Sequence, residues 1–291
     1  MQSFLKKIYQ TIPFKKDIYT VLKIIWHPKE SIYRHFHFVG IFNVKVTKHK
    51  SFKIKHYGYQ IENEIFWAGL LNGWEKESIK LWIKLCEKSE VVLDIGANTG
   101  IYSLIAKATN PNTKVYAFEP VKRVFNKLEE NILLNKFDIV LIEKAVSNSD
   151  GLATIYDTLS EHTYSVTVNK NMLSPGIKVI ETKINIITLN SFIRQNNIKK
   201  IDLIKIDVET HEPEVLEGFS DYLGQFQPSL WIEILTDEIG SKVNKIIEGL
   251  GYLFFNIDEK GTISQVKKIT KSDYFNYLLC SSKIAKEIGL I

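Results

Sequence analysis

The sequence predicts an α/β fold: a mostly parallel, Rossmann-like sheet flanked by helices and preceded by an N-terminal extension of helix and short strands. Three observations lead there. Val91-Val92-Leu93-Asp94-Ile95 is an apolar run of strand length, followed by the turn Gly96-Ala97-Asn98-Thr99-Gly100 and a helix-forming stretch from Ile101. A buried parallel strand that ends in a tight turn and feeds a helix reads this way. From Lys114 to Ile234, short apolar runs alternate with segments of helical period, the pattern of crossover-connected parallel strands. Before residue 60 the chain is strongly basic and lacks that alternation.

These features divide the chain into a basic extension, residues 1–73, and a cofactor-binding domain, residues 74–291. Residues 1–60 hold 12 Lys/Arg against two Asp/Glu, a charge of +10, and the remainder holds 26 against 31, or −5. Ile18, Leu22, Ile25 and Trp26 share one helical face. That face either packs on the rest of the chain with its lysines solvated, or meets an anionic membrane surface or acidic glycan carrier. No nucleic-acid-binding motif accompanies the charge, so nucleic acid is not an expected partner. Phe42–Val46 and Phe52–Lys55 alternate as short strands. Ile61–Trp67 leads to Gly69 and Gly73, and then a helix places Ile79, Trp82, Ile83 and Cys86 on one face. Cys86 and Cys280 lie in apolar surroundings without metal-ligand spacing and read as buried structural residues. With 45% apolar and 24% charged residues, wholesale disorder is excluded. No apolar run approaches the ~20 residues of a membrane-spanning helix, and Met1–Lys7 lacks the apolar centre of a signal peptide. The expected location is cytoplasmic, with peripheral contact at the inner face of the membrane as one role for the basic extension. Oligomeric state is not legible.

The core follows in order. Asn110-Pro111-Asn112 turns the chain into a strand at Lys114–Phe118, and Pro120 suits the first turn of the helix after it, where Phe125, Leu128 and Ile132 recur. Ile139–Ile142 is the third strand, and Ser147–Gly151 a turn. Residues 152–187 break the alternation. Two strands there flank a polar loop, Leu159 to Pro175, containing His162, which is a candidate acceptor-binding insertion. The fourth strand, Ile201–Asp207, brings Asp207 to its carboxyl end, and Pro213 opens the next helix. The fifth, Leu230–Ile234, holds Glu233 among apolar residues; a buried acid needs a partner, so Glu233 is expected to face the pocket. A helix over 239–250, a strand over 252–257, a turn at Glu259-Lys260-Gly261 and a strand over 274–280 close the chain.

Spacing decides between cofactors. The dinucleotide pattern G-x-G-x-x-G would need glycines at 98 and 101, where Asn98 and Ile101 stand, and no Gly-Lys-Ser/Thr tripeptide of a P-loop exists. What remains is Asp94 two residues before Gly96, a G-x-N-x-G turn, and Glu119 ending the next strand. Carboxylates at both places suit a cationic, hydroxylated cofactor without a pyrophosphate. S-adenosyl-L-methionine fits, with Asp94 near the methionine ammonium and Glu119 accepting from the ribose hydroxyls.

D-I-G-A-N-T-G-I-Y-S, V-Y-A-F-E-P, I-K-I-D-V-E-T-H-E-P-E-V-L-E-G and P-S-L-W-I-E-I, in this order over residues 74–280, closely resemble the FkbM family of methyltransferases. The resemblance implies a class I methyltransferase sheet of seven strands with the last antiparallel, and O-methylation of sugars or other hydroxylated metabolites. It implies cofactor contacts along Glu75, Asp94, Gly96, Asn98, Gly100, Tyr102, Ser103, Glu119, Pro120, Asp150 and Asp207. Glu75 reads equally as an exposed helix-N-terminal acid, and Asp150 as turn chemistry. Where the family commonly has V-E-G-H-E, this chain has Val208-Glu209-Thr210-His211-Glu212, a departure placed to reshape the acceptor pocket.

An alcohol acceptor must lose its proton to a base within hydrogen-bond reach. Asp207, Glu209, His211 and Glu233 are the candidates, with His211 as base and Asp207 orienting it or the acceptor; helix capping by His211 and Glu212 is the structural alternative. No established metal-binding motif is present, and no metal is expected. The sequence thus reads as an S-adenosyl-L-methionine-dependent O-methyltransferase acting on a glycan or similar hydroxylated molecule. The alternative is a non-catalytic glycan- or membrane-associated binding protein on the same fold.

Overall fold

The structure, a computed structural model, describes residues 13–158 and 179–291. The loop Leu159–Pro175, with His162, lies outside the described residues. The chain forms two compact units, residues 1–74 and 75–291.

In the first unit, helix α1 (Lys15–Ile25) and the short α2 (Glu30–Tyr33) precede an antiparallel hairpin, β1 (Gly40–Lys45) and β2 (Ser51–His56), and helix α3 (Gln60–Ala68). Alternation along both strands buries Phe42, Val44, Phe52 and Ile54 on one face. An aromatic cluster fills the interior: Tyr19 lies 5.4 Å from Trp67, and Phe38 4.7 Å from Phe66. His56 is buried against Asn63, and burial lowers its pKa to about 4. The face expected to pack, Ile18, Leu22, Ile25 and Trp26, is not the buried one. Helix α1 buries Tyr19 and leaves Ile18, Ile25 and Trp26 exposed.

The second unit begins with helix α4 (Lys76–Cys86) and continues as strand β3 (Val91–Ile95), helix α5 (Ile101–Thr109), β4 (Lys114–Phe118), helix α6 (Lys122–Asn135) and β5 (Ile139–Ile142). A small side sheet, order β6-β8-β7, joins β6 (Ala145–Val146), β7 (Gly151–Thr158) and β8 (Val179–Ile187). Helix α7 (Leu189–Gln195), β9 (Leu203–Ile206), α8 (Glu212–Glu217), α9 (Ser220–Phe226), β10 (Ser229–Glu233) and α10 (Asp237–Ile246) follow. The chain ends with β11 (Leu253–Asp258), β12 (Thr262–Val266), β13 (Asn276–Cys280) and α11 (Ser282–Glu287).

The large sheet runs β12-β11-β13-β10-β9-β3-β4-β5. Strands β5, β4, β3, β9 and β10 are mutually parallel, and β13 is antiparallel to both β10 and β11. This is the expected Rossmann-like order with one strand added. Thr262–Val266, where the sequence predicts no strand, pairs antiparallel with β11 as an eighth, edge strand. Its exposure explains why its apolar signal is weak. Strands β3, β4, β9 and β10 are buried on both sides, as parallel strands are, while the edge strand β5 leaves Val140 exposed. Leu93, Phe118, Ile206, Ile232, Phe219 and Phe192 belong to one continuous core. Cys86 and Cys280 are free and buried. Among the described residues, no helix is long and apolar enough to cross a membrane.

Candidate functional site

The order of strands reverses beside β3, so the carboxyl ends of β3, β4, β9 and β10 frame a crevice, where open α/β sheets bind ligands. The turn after β3 is fixed by contacts that exclude side chains. Gly96 adopts φ 78° and its N–H bonds Phe118 O, while an added Cβ would stand 1.9 Å from Asp207 O. Gly100, at φ 91°, faces Leu128 so closely that a Cβ would come within 2.5 Å of its Cδ1. Both positions require glycine. Between them Asn98 takes the left-handed conformation at φ 52° and donates its N–H to Glu119.

Glu119 is buried at the end of β4, each oxygen accepting one backbone N–H, from Asn98 at 3.1 Å and Val121 at 2.9 Å. A carboxylate oxygen can accept a second bond, so both keep capacity for ligand hydroxyls. Burial pushes its pKa up to about 7, against the opposing backbone bonds. Pro120 precedes the N-cap Val121, so it lies outside the first helical turn where the sequence placed it.

Asp94 is wholly buried. Its Oδ2 accepts from Ser103 Oγ at 2.6 Å, while Oδ1 is buried without a partner, as is Asn98 Oδ1. A buried carboxylate oxygen left bare is costly, and two orphaned acceptors, one near the end of β3 and one on the turn after it, leave room for a ligand donor. Burial raises the Asp94 pKa, opposed by the Lys205 charge and the Ser103 bond.

Lys205 is the residue the sequence reading missed. It stands in register with Asp94 on one side and Trp231 on the other. It is 4% exposed, its Nζ is 2.7 Å from Asp207 Oδ2, and it lies 4.9 Å from the centre of the Tyr102 ring. Burial alone would lower its pKa, but Asp207, Asp94 and Glu75 together hold it above the ordinary lysine value. The signal was available: a lysine inside Leu203-Ile204-Lys205-Ile206 must have a partner.

Two residues on, the carboxyl ends of β9 and β10 set Asp207 beside Glu233, which pairs across to Asn276. Burial and the charges of Asp207 and Glu209 raise the Glu233 pKa. Glu75, at φ 45° just before α4, accepts a hydrogen bond from Tyr102 OH, and burial raises its pKa to about 7. It does not cap the helix. That position is taken by Glu259, which accepts the N–H groups of Glu77 at 2.7 Å and Ser78 at 3.2 Å.

Three of the four expected proton-handling residues, Asp207, Glu209 and Glu233, therefore share one electrostatic neighbourhood. His211 does not join them. Glu209 at φ 54° and Thr210 at φ 78° reverse the chain, and His211 turns to Ser147, 3.0 Å from its Oγ, and to Glu214 at 3.5 Å. Burial lowers its pKa. It occupies the N-cap position of α8 without a side-chain capping bond, so neither expected role for it matches its contacts. Glu212 is the residue that braces this reversal, accepting from Val208 N and Thr210 N. Asp150 also stands apart: it is exposed and bonds Thr188 N and Ser191 Oγ at 2.6 Å each, tying the β7 turn to the start of α7.

Sheet order and crevice define a Rossmann-like protein with carboxylates gathered at the carboxyl ends of its central strands. The chain belongs to the FkbM methyltransferase family: the model of the Methyltransferase FkbM domain matches residues 94–254. The hexuronic acid methyltransferase AglP of Haloferax volcanii is 28% identical over 151 residues, 51% of this chain and 58% of that protein. The 31-O-demethyl-FK506 methyltransferase FkbM of Streptomyces tacrolimicus is 27% identical over 156 residues, covering 45% and 60%. The match thus spans about three fifths of the length of these relatives. Among solved structures, a methyltransferase FkbM from Methylobacillus flagellatus superposes at a TM-score of 0.42 with 16% identity, covering 66% of this chain and 43% of that one.

Proposed function

We propose that this protein is an S-adenosyl-L-methionine-dependent O-methyltransferase acting on a hydroxyl of a sugar, glycan or similar hydroxylated metabolite. The observation that carries the reading is Asp94, whose buried Oδ1 lacks a donor in a pocket where carboxylates outnumber the Lys205 cation. A ligand bearing an ammonium and a sulfonium answers both the missing donor and the charge imbalance. When bound, that cofactor supplies an electrophilic methyl group. Asp94, oriented by Ser103, would hold its ammonium end, the turn fixed by Gly96 and Gly100 would lie against it, and Glu119 would accept its ribose hydroxyls.

Asp207 is the residue suited to the acceptor. Its side chain is 38% exposed while Lys205 Nζ holds one oxygen at 2.7 Å, so the other can receive the hydroxyl proton. Glu233 and Glu209 beside it orient the acceptor. Lys205 fixes Asp207 and offsets the surrounding negative charge. A sugar acceptor is supported by the hexuronic acid methyltransferase among the relatives, and the basic extension supports contact with an anionic membrane surface where a lipid-linked glycan would be presented. Mass spectrometry of host glycans with and without the protein tests the reading. A 14-dalton difference on a glycan is expected, and identical glycans together with no methyl transfer to any hydroxylated extract would refute it.

A further inference from the structure

Helix α1 presents a surface that the first unit leaves uncovered. Its inner side is fixed by Tyr19, packed against Phe36 and Trp67 at 5.6 and 5.4 Å, and by Lys23, which donates to Phe66 O and lies over the Phe66 ring. On the opposite side stand Phe14, Ile18, Val21 and Ile25. Their spacing of four, three and four residues confines them to a stripe roughly 60° wide at about 100° per residue. They are between 50% and 79% exposed, with Ile24 and Trp26, also exposed, at the stripe's edge and end. Exposed apolar residues scattered singly are ordinary, but a continuous stripe along one helix marks a docking surface.

Charge selects the partner. The first unit, residues 1–74, carries 12 Lys/Arg against four Asp/Glu, or +8, whereas residues 75–291 carry 26 against 29, or −3. A second copy docked on this helix would set +8 against +8, which repulsion opposes. An anionic bilayer offers both the apolar depth that the stripe needs and the negative charge that the unit needs. Lys15 borders the helix start and Lys29 follows its end, so their stems can lie along the interface with the ammonium groups at headgroup level. Trp26 at the helix end is the residue type that sits at that level.

We propose that α1 lies in the plane of an anionic membrane with Phe14, Ile18, Val21 and Ile25 inserted at the headgroup boundary. The docking is independent of catalysis and rests on the methyltransferase reading only for its consequence, that the acceptor is met at a membrane. The test is sedimentation of the full chain with phosphatidylcholine vesicles, with and without phosphatidylglycerol. The double variant Ile18→Asp/Val21→Asp changes two exposed positions, and Leu133→Asp, 70% exposed on α6, serves as control. Calorimetry with S-adenosyl-L-methionine on every variant reports separately on fold and on the catalytic reading. Wild type and the control should sediment with anionic vesicles, and the double variant should bind them at least ~10-fold more weakly, as expected for lost apolar insertion. Three results would each overturn the proposal: no binding to anionic vesicles, binding by the double variant equal to wild type, or a lipid-free dimer that the double variant abolishes. Failure of wild type to bind the cofactor would count against the catalytic reading and leave the vesicle result standing.

Discussion

Replacing Lys205 with methionine keeps most of the side chain's volume and removes its charge from among Asp94, Asp207 and Glu75. Breaking a buried pair by deleting one partner typically costs about 3–5 kcal/mol, because the remaining charge stays desolvated. Asp94 is wholly buried, but the Asp207 side chain is 38% exposed, and water screens part of its loss. The lower end, about 3 kcal/mol, is therefore expected, or a fall in Tm of roughly 6–12 °C for a unit of this size. The sign with pH follows from linkage. Without Lys205 the folded-state pKa of Asp94, already raised by burial, rises further above its unfolded value. The variant then loses stability as pH climbs from the unfolded value, ~3.9, toward the raised folded one, and its deficit against wild type widens over that interval. Thermal unfolding of the ligand-free protein followed by circular dichroism reads this directly. The double variant Lys205→Met/Asp207→Asn should be less destabilised than the two single losses added together. A Lys205→Met protein that unfolds at the wild-type temperature at pH 8, or with a deficit that ignores pH, would refute the reasoning.

Three further outcomes are expected. Gly96→Ala places a Cβ 1.9 Å from Asp207 O at a φ of 78°; both costs apply, so urea unfolding should show a loss of at least ~2 kcal/mol together with loss of cofactor binding. Glu212 keeps its proton in the fold to about pH 8 but loses it near pH ~4.3 when unfolded, so wild-type stability falls over that range. Glu212→Gln should gain on wild type by up to about 1.4 kcal/mol per pH unit between them, measured by denaturant unfolding. His211→Ala, whose ring contacts Ser147 and Glu214, should keep methyl transfer within ~10-fold of wild type, whereas Asp207→Asn should lower it at least ~100-fold in a radiolabelled methyl assay.

The parallel strands were legible because burial on both faces demands unbroken apolar runs, as in Val91–Ile95 and Leu230–Ile234. The glycine turn and the paired acids Asp94 and Glu119 were legible for the same kind of reason: their spacing restricts which ligand fits. Non-local contacts were not. Glu259 caps α4 from 182 positions away from Glu77, and nothing in the local sequence of either points to the other. His211 lies four residues after Asp207, which placed the two together in the sequence reading. Two consecutive positive φ angles at Glu209 and Thr210 send its ring elsewhere; the glycine that the family commonly carries at position 210 was the sign of such an angle, and the β-branched Thr210 hides it in this chain. Lys205 differs from these. The rule that assigned a partner to Glu233 applied equally to a lysine buried in β9, and would have found it.

The central claim, that the crevice is built for S-adenosyl-L-methionine, is tested most directly by calorimetric titration of wild type and Asp94→Asn with that cofactor and with NAD. The account predicts micromolar binding of S-adenosyl-L-methionine by wild type and none of NAD. Asp94→Asn should weaken binding roughly 10–100-fold, the worth of one charge-assisted hydrogen bond, while retaining a folded transition. No binding by folded wild type, or equal affinity in wild type and Asp94→Asn, would contradict it.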